Sequence, residues 1–423
     1  MKRILIFLLA LLMLVPAAFP LQAAAEDSTY TLDKVVILSR HGIRSPTATD
    51  SMLEEITPHS WFEWTSGPGE LSLRGARLET FMGQYFRLWL EDEGLIPHNW
   101  QPEENAVRFY ANAKQRTLAT TRYFSAGLLP VSVVPIETHA AYDTMDDTFN
   151  YALRYVSDAY ADAVTAEIDM KAWDERLKDG IALVAEVADV EQSEAYRSGK
   201  YGDLLHDESS VTVAQYCDIS GPIGTASAVA DALVMQYYEE PDAVKAAFGH
   251  ELTEEDWVSI AEVDDAFLSI FEGVPLISIN LAYPLLQELE NEMEEEGRVF
   301  SFLCGHDSNI ASVLVALGSE EYDLPGSISA VAPIGVKLCF ERYLDADGEA
   351  WYAVNLVYQS TEQLREDIPL SLDNPPMKAA IRFLGIETNA DGLIAEKDLL
   401  NRFREAIDAF EMLPEEFDME KAA

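Results

Sequence analysis

Apolar positions along this chain follow two periods. The run Lys34-Val35-Val36-Ile37-Leu38-Ser39 is apolar without alternation, which predicts a strand buried on both faces. Residues 107–111 and 299–304 read the same way. Over residues 72–90 the period lengthens: Leu78, Met82, Tyr85, Phe86 and Trp89 fall on one stripe and predict a helix. Residues 112–126 continue a helical pattern, closed by Gly127 and Pro130. Another helix runs from Asn309 and stops at Gly318. Two further strand-like runs, 335–342 and 351–358, flank Asp347-Gly348 and predict a hairpin.

Between residues 151 and 298 the pattern is mostly helical and acidic. Charged and apolar positions intersperse over 162–183, and Leu233, Gln236 and Tyr237 keep helical spacing within 227–239. Thr253 and Asp256 have the spacing of a capping box ahead of Trp257. Leu285, Leu289 and Met293 form a stripe, and the glutamates at 294–296 read as a solvated face. Asp345-x-Asp347-Gly348 resembles the start of a calcium loop but lacks its remaining ligands, so it reads as a turn. There are no repeats. The expected architecture is α/β. A large domain of residues 26–150 and 299–423 holds a central mixed, largely parallel sheet flanked by helices. Residues 151–298 form a smaller, mostly helical domain.

Composition narrows the setting. With 48% hydrophobic residues in 423, the chain can bury a sizeable core. Residues 1–25 read as a signal peptide: Lys2 and Arg3 precede an apolar run from Ile4 to Val15, and Ala23-Ala24-Ala25 offers a cleavage site. That run is too short for a membrane span and no later segment is apolar enough, so a periplasmic or secreted protein is expected. The chain carries 74 acidic and 29 basic residues, for a net charge of −45; losing Lys2 and Arg3 makes it −47. Such a surface repels nucleic acid and anionic membrane. Three cysteines, Cys217, Cys304 and Cys339, allow at most one disulfide, and Cys304 and Cys339 sit in apolar runs that suit buried thiols. The oligomeric state is not legible.

Three segments repeat one grammar of strand, polar residues, then helix: 35–44, 107–117 and 299–310. Their polar residues are Arg40, His41 and Arg44; Asn112, Lys114 and Arg116; and His306 with Asp307. In open α/β sheets ligands bind where strand ends meet helix N-termini, so these groups can converge. Converged, the arginines would hold phosphoryl oxygens with forked donors and stabilise transition-state charge. An imidazole among them stays neutral and can attack phosphorus, and Asp307 can protonate the leaving oxygen. Guanidinium groups then carry the positive charge, and no metal or cofactor is implied. The other histidines, at 59, 98, 139, 206 and 250, lack zinc-ligand spacing. Each residue taken alone has a plainer reading. Arg40 or Arg44 suits a surface arginine, Arg116 a partner for an acid, Asp307 or Ser308 an N-cap, and His306 a strand-end histidine.

Arg40-His41-Gly42-x-Arg44-x-Pro46 resembles the RHGxRxP signature of the histidine acid phosphatases, and Gly305-His306-Asp307 resembles that family's later HD motif. The segments TPHSWFEW, YANAKQRT, TMDDTFN, GHDSNIAS, PIGVKLCFER and VYQSTEQLR extend the likeness to the family's bacterial periplasmic glucose-1-phosphatase and phytase group. The resemblance implies a large α/β domain with a smaller helical one and substrate in the cleft between. It implies His41 as nucleophile, Arg40, Arg44, Arg116 and His306 as phosphate-binding residues, Asp307 as proton donor and Thr47 as a substrate contact. The implied activity is hydrolysis of phosphomonoesters, sugar phosphates of the glucose 1-phosphate kind and inositol phosphates, through a phosphohistidine. A dedicated phytase is the alternative, and a catalytically inactive phosphate-binding relative a further one. Gly42 departs from the glucose-1-phosphatase pattern, which has Asn there, and the few cysteines depart from the disulfide-bonded enteric members.

Overall fold

The computed structural model describes residues 30–48, 50–418 and 420–421; the expected signal segment 1–25 and its cleavage site lie outside them. One sheet organises the chain. Its strands are β1 (Thr31–Arg40), β2 (Val107–Ala111), β3 (Ile136–Glu137), β4 (Phe300–Gly305), β5 (Lys337–Leu344), β6 (Ala350–Tyr358), β7 (Met377–Ala380) and β8 (Ile394–Ala395). The order is β7-β6-β5-β1-β4-β2-β3, with β8 beside β6. The sheet is mixed: β1, β4, β2 and β3 run parallel, and the other neighbours pair antiparallel.

Strand β1 lies inside the sheet and is covered on both sides, which is why its sequence does not alternate. Val36 and Leu38 pack with Leu285, Leu286 and Leu289 of one helix layer, while Val35 and Ile37 pack with Met82, Phe86 and Phe124 of the other. The second layer contains α1 (Leu73–Asp92) and α2 (Gln115–Leu128). These helices touch backbone to backbone. A Cβ on Gly83 would lie 2.1 Å from the Phe124 carbonyl oxygen, and one on Gly127 would lie 2.3 Å from that of Thr80. Only glycine permits that approach, which pins the C-terminal half of α2 to α1, and Thr120 Oγ1 of α2 accepts from the Gly42 amide just after β1 at 3.1 Å.

The stretch 151–298 is mostly helical, as its periodicity predicts. It includes α3 (Pro222–Glu239), α4 (Glu254–Asp264) and α5 (Pro275–Glu294), besides the helices Asp158–Glu167 and Met170–Val187. The capping box forms: Thr253 accepts from the Asp256 amide, and the Asp256 side chain accepts from the Thr253 amide. Trp257 is buried and stacks on Tyr237 with ring centroids 3.8 Å apart. The hairpin turns at Asp347-Gly348, where Gly348 takes φ 83°.

Boundaries differ where caps decide them. The helix expected from 112 starts at Gln115, because Asn112 to Lys114 form the turn off β2. Helix α6 (Asp307–Ala316) starts two residues early, with His306 as its N-cap. The pattern over 162–183 is broken at Ile168-Asp169, where Asp169 caps a second helix by accepting from the Ala172 amide. The three cysteines are free, with Cys304 and Cys339 buried. Among the described residues no helix is long and apolar enough to cross a membrane.

Candidate active site

Strands β1, β4 and β2 end side by side, with Arg40 opposite Gly305 and Ala111 opposite Cys304. The residues that follow each strand therefore meet at one edge of the sheet. His41 comes from β1, His306 and Asp307 from the β4–α6 junction, and Arg116 from the first turn of α2. Arg44 joins from the loop after β1, which bridges to Leu71.

The cluster is largely enclosed: Arg40 is 5% exposed, His41 2%, Arg44 7% and His306 4%. Arg40 Nη2 lies 2.8 Å from Asp307 Oδ2, and its Nη1 donates to the Ala332 carbonyl. Arg44 forms a two-pronged pair with Asp231, Nη1 to Oδ2 at 3.0 Å and Nη2 to Oδ1 at 2.7 Å. Arg116 donates weakly to the Gly69 carbonyl at 3.4 Å, and its Nη2 lies 3.3 Å from His306 Nδ1. The two imidazoles meet edge to face at 5.5 Å. His41 Nδ1 is 2.9 Å from the Gly42 carbonyl oxygen. A carbonyl only accepts, so Nδ1 carries the hydrogen and Nε2 keeps a free lone pair. The Nε atoms of Arg40, Arg44 and Arg116 are buried with no hydrogen-bond partner among the described residues.

Electrostatics follow from this crowding. Burial first, then Arg116 and Arg44, push His41 well below the ordinary histidine range, so it is neutral. Burial and Arg116 do the same to His306. Burial raises the Asp307 carboxyl, but Arg40, His306 and Arg44 outweigh it and hold it at about 2. Burial and Arg44 lower Arg116 to about 10. Three more acids face the arginines. Asp231 pairs with Arg44; Asp264 is raised by burial and by Asp231 and Asp265; Asp265, accepting from Ser329 Oγ at 2.8 Å, is raised by burial to about 6.

The structure thus brings Arg40, His41, Arg44, Arg116, His306 and Asp307 together. Thr47 is exposed at the rim, with its backbone N–H 3.5 Å from Asp231 Oδ2. Lys114 is turned away, donating to the Asp143 carbonyl at 2.7 Å. Asn112 lies inside, against His306. Asp231 is not legible as a site residue from its surroundings in the chain. Its one signal is a lone carboxylate within the apolar run Ala228-Val-Ala-Asp231-Ala-Leu-Val-Met235, which must find a cationic partner when buried. Among the described residues no group of three or more His, Cys, Asp or Glu could hold a metal ion.

A neutral imidazole with a free Nε2, ringed by buried guanidinium groups at parallel strand ends, defines a histidine phosphatase site. The chain belongs to the histidine phosphatase superfamily, branch 2, whose family model matches residues 31–359. It is 29% identical over 414 residues to a glucose-1-phosphatase of Providencia rettgeri, covering 96% of this chain and 99% of that protein. It is 30% identical over 379 residues to a glucose-1-phosphatase of Salmonella typhimurium, covering 88% and 91%. The structure of Hafnia alvei phytase in complex with myo-inositol hexakis sulphate superposes with a TM-score of 0.81 at 27% identity, over 90% of this chain and 97% of that one.

Proposed function

We propose that this protein is an exported acid phosphomonoesterase that cleaves sugar phosphates of the glucose 1-phosphate kind, and inositol phosphates, through a phosphohistidine on His41. The carrying observation is His41 itself. Its Nδ1–H is anchored on the Gly42 carbonyl at 2.9 Å, which leaves Nε2 as the nucleophilic atom among Arg40, Arg44 and Arg116.

In the first step Nε2 forms a bond to phosphorus as the ester P–O bond breaks. The arginines hold the equatorial oxygens, and their charge offsets the charge spread in the transition state. The leaving alkoxide takes its proton from Asp307. Asp307 is ionised in the free protein, so this proton arrives with the substrate. A phosphomonoester monoanion gives it up on entering a site that favours the dianion, and Asp307 gains affinity for it as the phosphoryl group draws on Arg40. In the second step water attacks phosphorus, the P–N bond breaks and Asp307 takes the water's proton. Export rests on the basic, apolar and small-residue pattern of residues 1–25.

The test is a panel of glucose 1-phosphate, phytate and p-nitrophenyl phosphate assayed for phosphate release at acid pH. The proposal expects turnover of all three, with the highest kcat/KM on glucose 1-phosphate. Turnover confined to phytate would make the protein a dedicated phytase, and no release from any ester would leave phosphate binding alone.

A further inference from the structure

The side chain of Asn112 is fixed at every polar atom. Its Oδ1 accepts the backbone N–H of Asp146 at 2.9 Å. A backbone N–H can only donate, so this contact settles which end of the amide is oxygen. The Nδ2 group therefore faces the other two neighbours, Met145 Sδ at 3.3 Å and His306 Nε2 at 2.6 Å. The backbone is held as well: the Asn112 amide donates to the Cys304 carbonyl at 2.9 Å, and Thr117 Oγ1 donates to the Asn112 carbonyl at 2.7 Å. The residue has 0% exposure.

An amide N–H₂ has no lone pair to offer. His306 Nε2 must then be the acceptor, and the imidazole hydrogen sits on Nδ1. The atom 3.3 Å from Nδ1 is Arg116 Nη2, which also only donates. Two donors that cannot satisfy each other flank one point, and an oxygen with lone pairs placed against both would satisfy both. Charging the ring would need a proton on Nε2, against the amide hydrogens of Asn112. Rotating the amide to accept it would strip the Asp146 N–H of its partner inside a buried site.

We propose that Asn112 is a positioning residue that locks His306 as the neutral Nδ1–H tautomer, so that its N–H and the Arg116 guanidinium form one paired donor for an oxygen of a tetrahedral dianion. This deepens the phosphatase reading and rests on it for the identity of the dianion. The charged groups facing His306 are Arg40 at the end of β1, Arg44 in the loop, Arg116 on α2 and Asp307 on its own helix. His41 meets it edge on. The Asp146 carboxylate points elsewhere, to the Tyr110 hydroxyl at 2.9 Å and the His139 amide at 2.8 Å.

The test uses the full chain labelled with 15N-histidine, with His306 assigned by its loss in His306→Gln. Long-range proton–nitrogen correlation should show Nδ1 protonated and Nε2 bare from acid to neutral pH. An Nε2–H tautomer, or an imidazolium in that range, would overturn the proposal. The companion variant is Asn112→Asp, which keeps the acceptor for the Asp146 N–H and turns a second oxygen towards Nε2. Its His306 should become an imidazolium, with a pKa about one pH unit or more above that of the native protein. Sulfate stays a dianion from mildly acid to neutral pH, so a change in its binding reports the protein and not the ligand. It should bind the variant about tenfold more weakly above the new pKa than below it, a step added to the change that Asp265 ionisation makes in both proteins. A sulfate profile in a folded Asn112→Asp no steeper than the native one would also overturn the proposal. Neither readout requires turnover, so an inactive protein with the expected tautomer would sink the phosphatase reading and spare this one. If the variant fails to fold, the tautomer of the native protein still decides.

Discussion

Arg40 Nη2 and Asp307 Oδ2 are 2.8 Å apart across the ends of two adjacent parallel strands. In the proposed mechanism this pair couples phosphate binding to proton supply. While Arg40 faces the carboxylate, Asp307 stays ionised; when a phosphoryl group competes for Arg40, the carboxylate can take a proton. Asp307→Asn removes the proton site but keeps the shape. Esters with poor leaving groups should slow by about 10²–10⁴-fold, and p-nitrophenyl phosphate by about tenfold or less, because p-nitrophenolate departs without help. Steady-state kinetics on both substrates checks this, and equal losses would place the acid elsewhere.

His41→Ala should abolish turnover and leave the melting transition cooperative, since Arg40 and Arg44 keep their acidic partners Asp307 and Asp231. Rapid quenching of the native protein with labelled substrate should give a phosphoenzyme stable in base and labile in acid, the behaviour of a phosphoramidate. Label on serine or aspartate would refute attack by His41.

Much of this site is legible in the amino-acid sequence, because strand-to-helix junctions announce themselves. An apolar run buried on both faces must be an inner strand, and polar residues at its end sit where parallel sheets bind ligands. Arg40, His41, Arg44, Arg116, His306 and Asp307 all lie at such junctions. Asp231 does not: it sits mid-helix, and its partner Arg44 lies 187 positions away. Lys114 shows the converse error. It has the same junction address as Arg116, yet one turn of backbone points it at Asp143. The edge strands Ile136–Glu137 and Ile394–Ala395 are two residues each, too short to carry any period.

Lys337 and Glu79 make a buried ion pair beneath the loop that follows β1, with Nζ at 2.9 and 3.1 Å from the two carboxylate oxygens. The lysine also donates to the Gly335 carbonyl at 2.7 Å, and the Gly335 amide donates to the His41 carbonyl at 3.0 Å. Removing one partner strands a charge in the interior. Lys337→Met or Glu79→Leu alone should cost about 3–5 kcal/mol, whereas the double variant should recover most of it. Urea denaturation of the three variants measures this; additive losses would mean the two residues act independently.

Glu272 is 1% exposed, and both of its carboxylate oxygens lack a hydrogen-bond partner among the described residues. Burial, and then Asp307, raise its pKa well above the ordinary 4.5. The folded chain therefore holds a proton there that the unfolded chain releases. Stability from this group is fully present below pH 4.5 and is lost as pH rises towards the raised folded value. Asp265, raised to about 6, acts in the same direction. Glu272→Gln should accordingly raise the melting temperature at neutral pH and leave it nearly unchanged near pH 4.5. A larger gain at acid pH than at neutral pH would reverse the assignment.

The final expectation concerns salt. The pocket is ringed by arginines, but the chain carries −45, so a polyanion approaching from a distance meets net repulsion. Screening acts over about 8–10 Å at ordinary salt, which weakens that far field and hardly touches charges enclosed in the site. Raising ionic strength from low to physiological should therefore leave kcat/KM for phytate unchanged or higher, and should change that for glucose 1-phosphate less. The acids paired within the site support this sign, because the Asp231 and Asp307 carboxylates offset the Arg44 and Arg40 guanidinium groups before any field leaves the site. Initial rates at subsaturating substrate across a sodium chloride series provide the measurement. A steep fall for phytate would show that a local basic funnel governs approach, and would shift the preferred substrate from sugar phosphates to inositol polyphosphates.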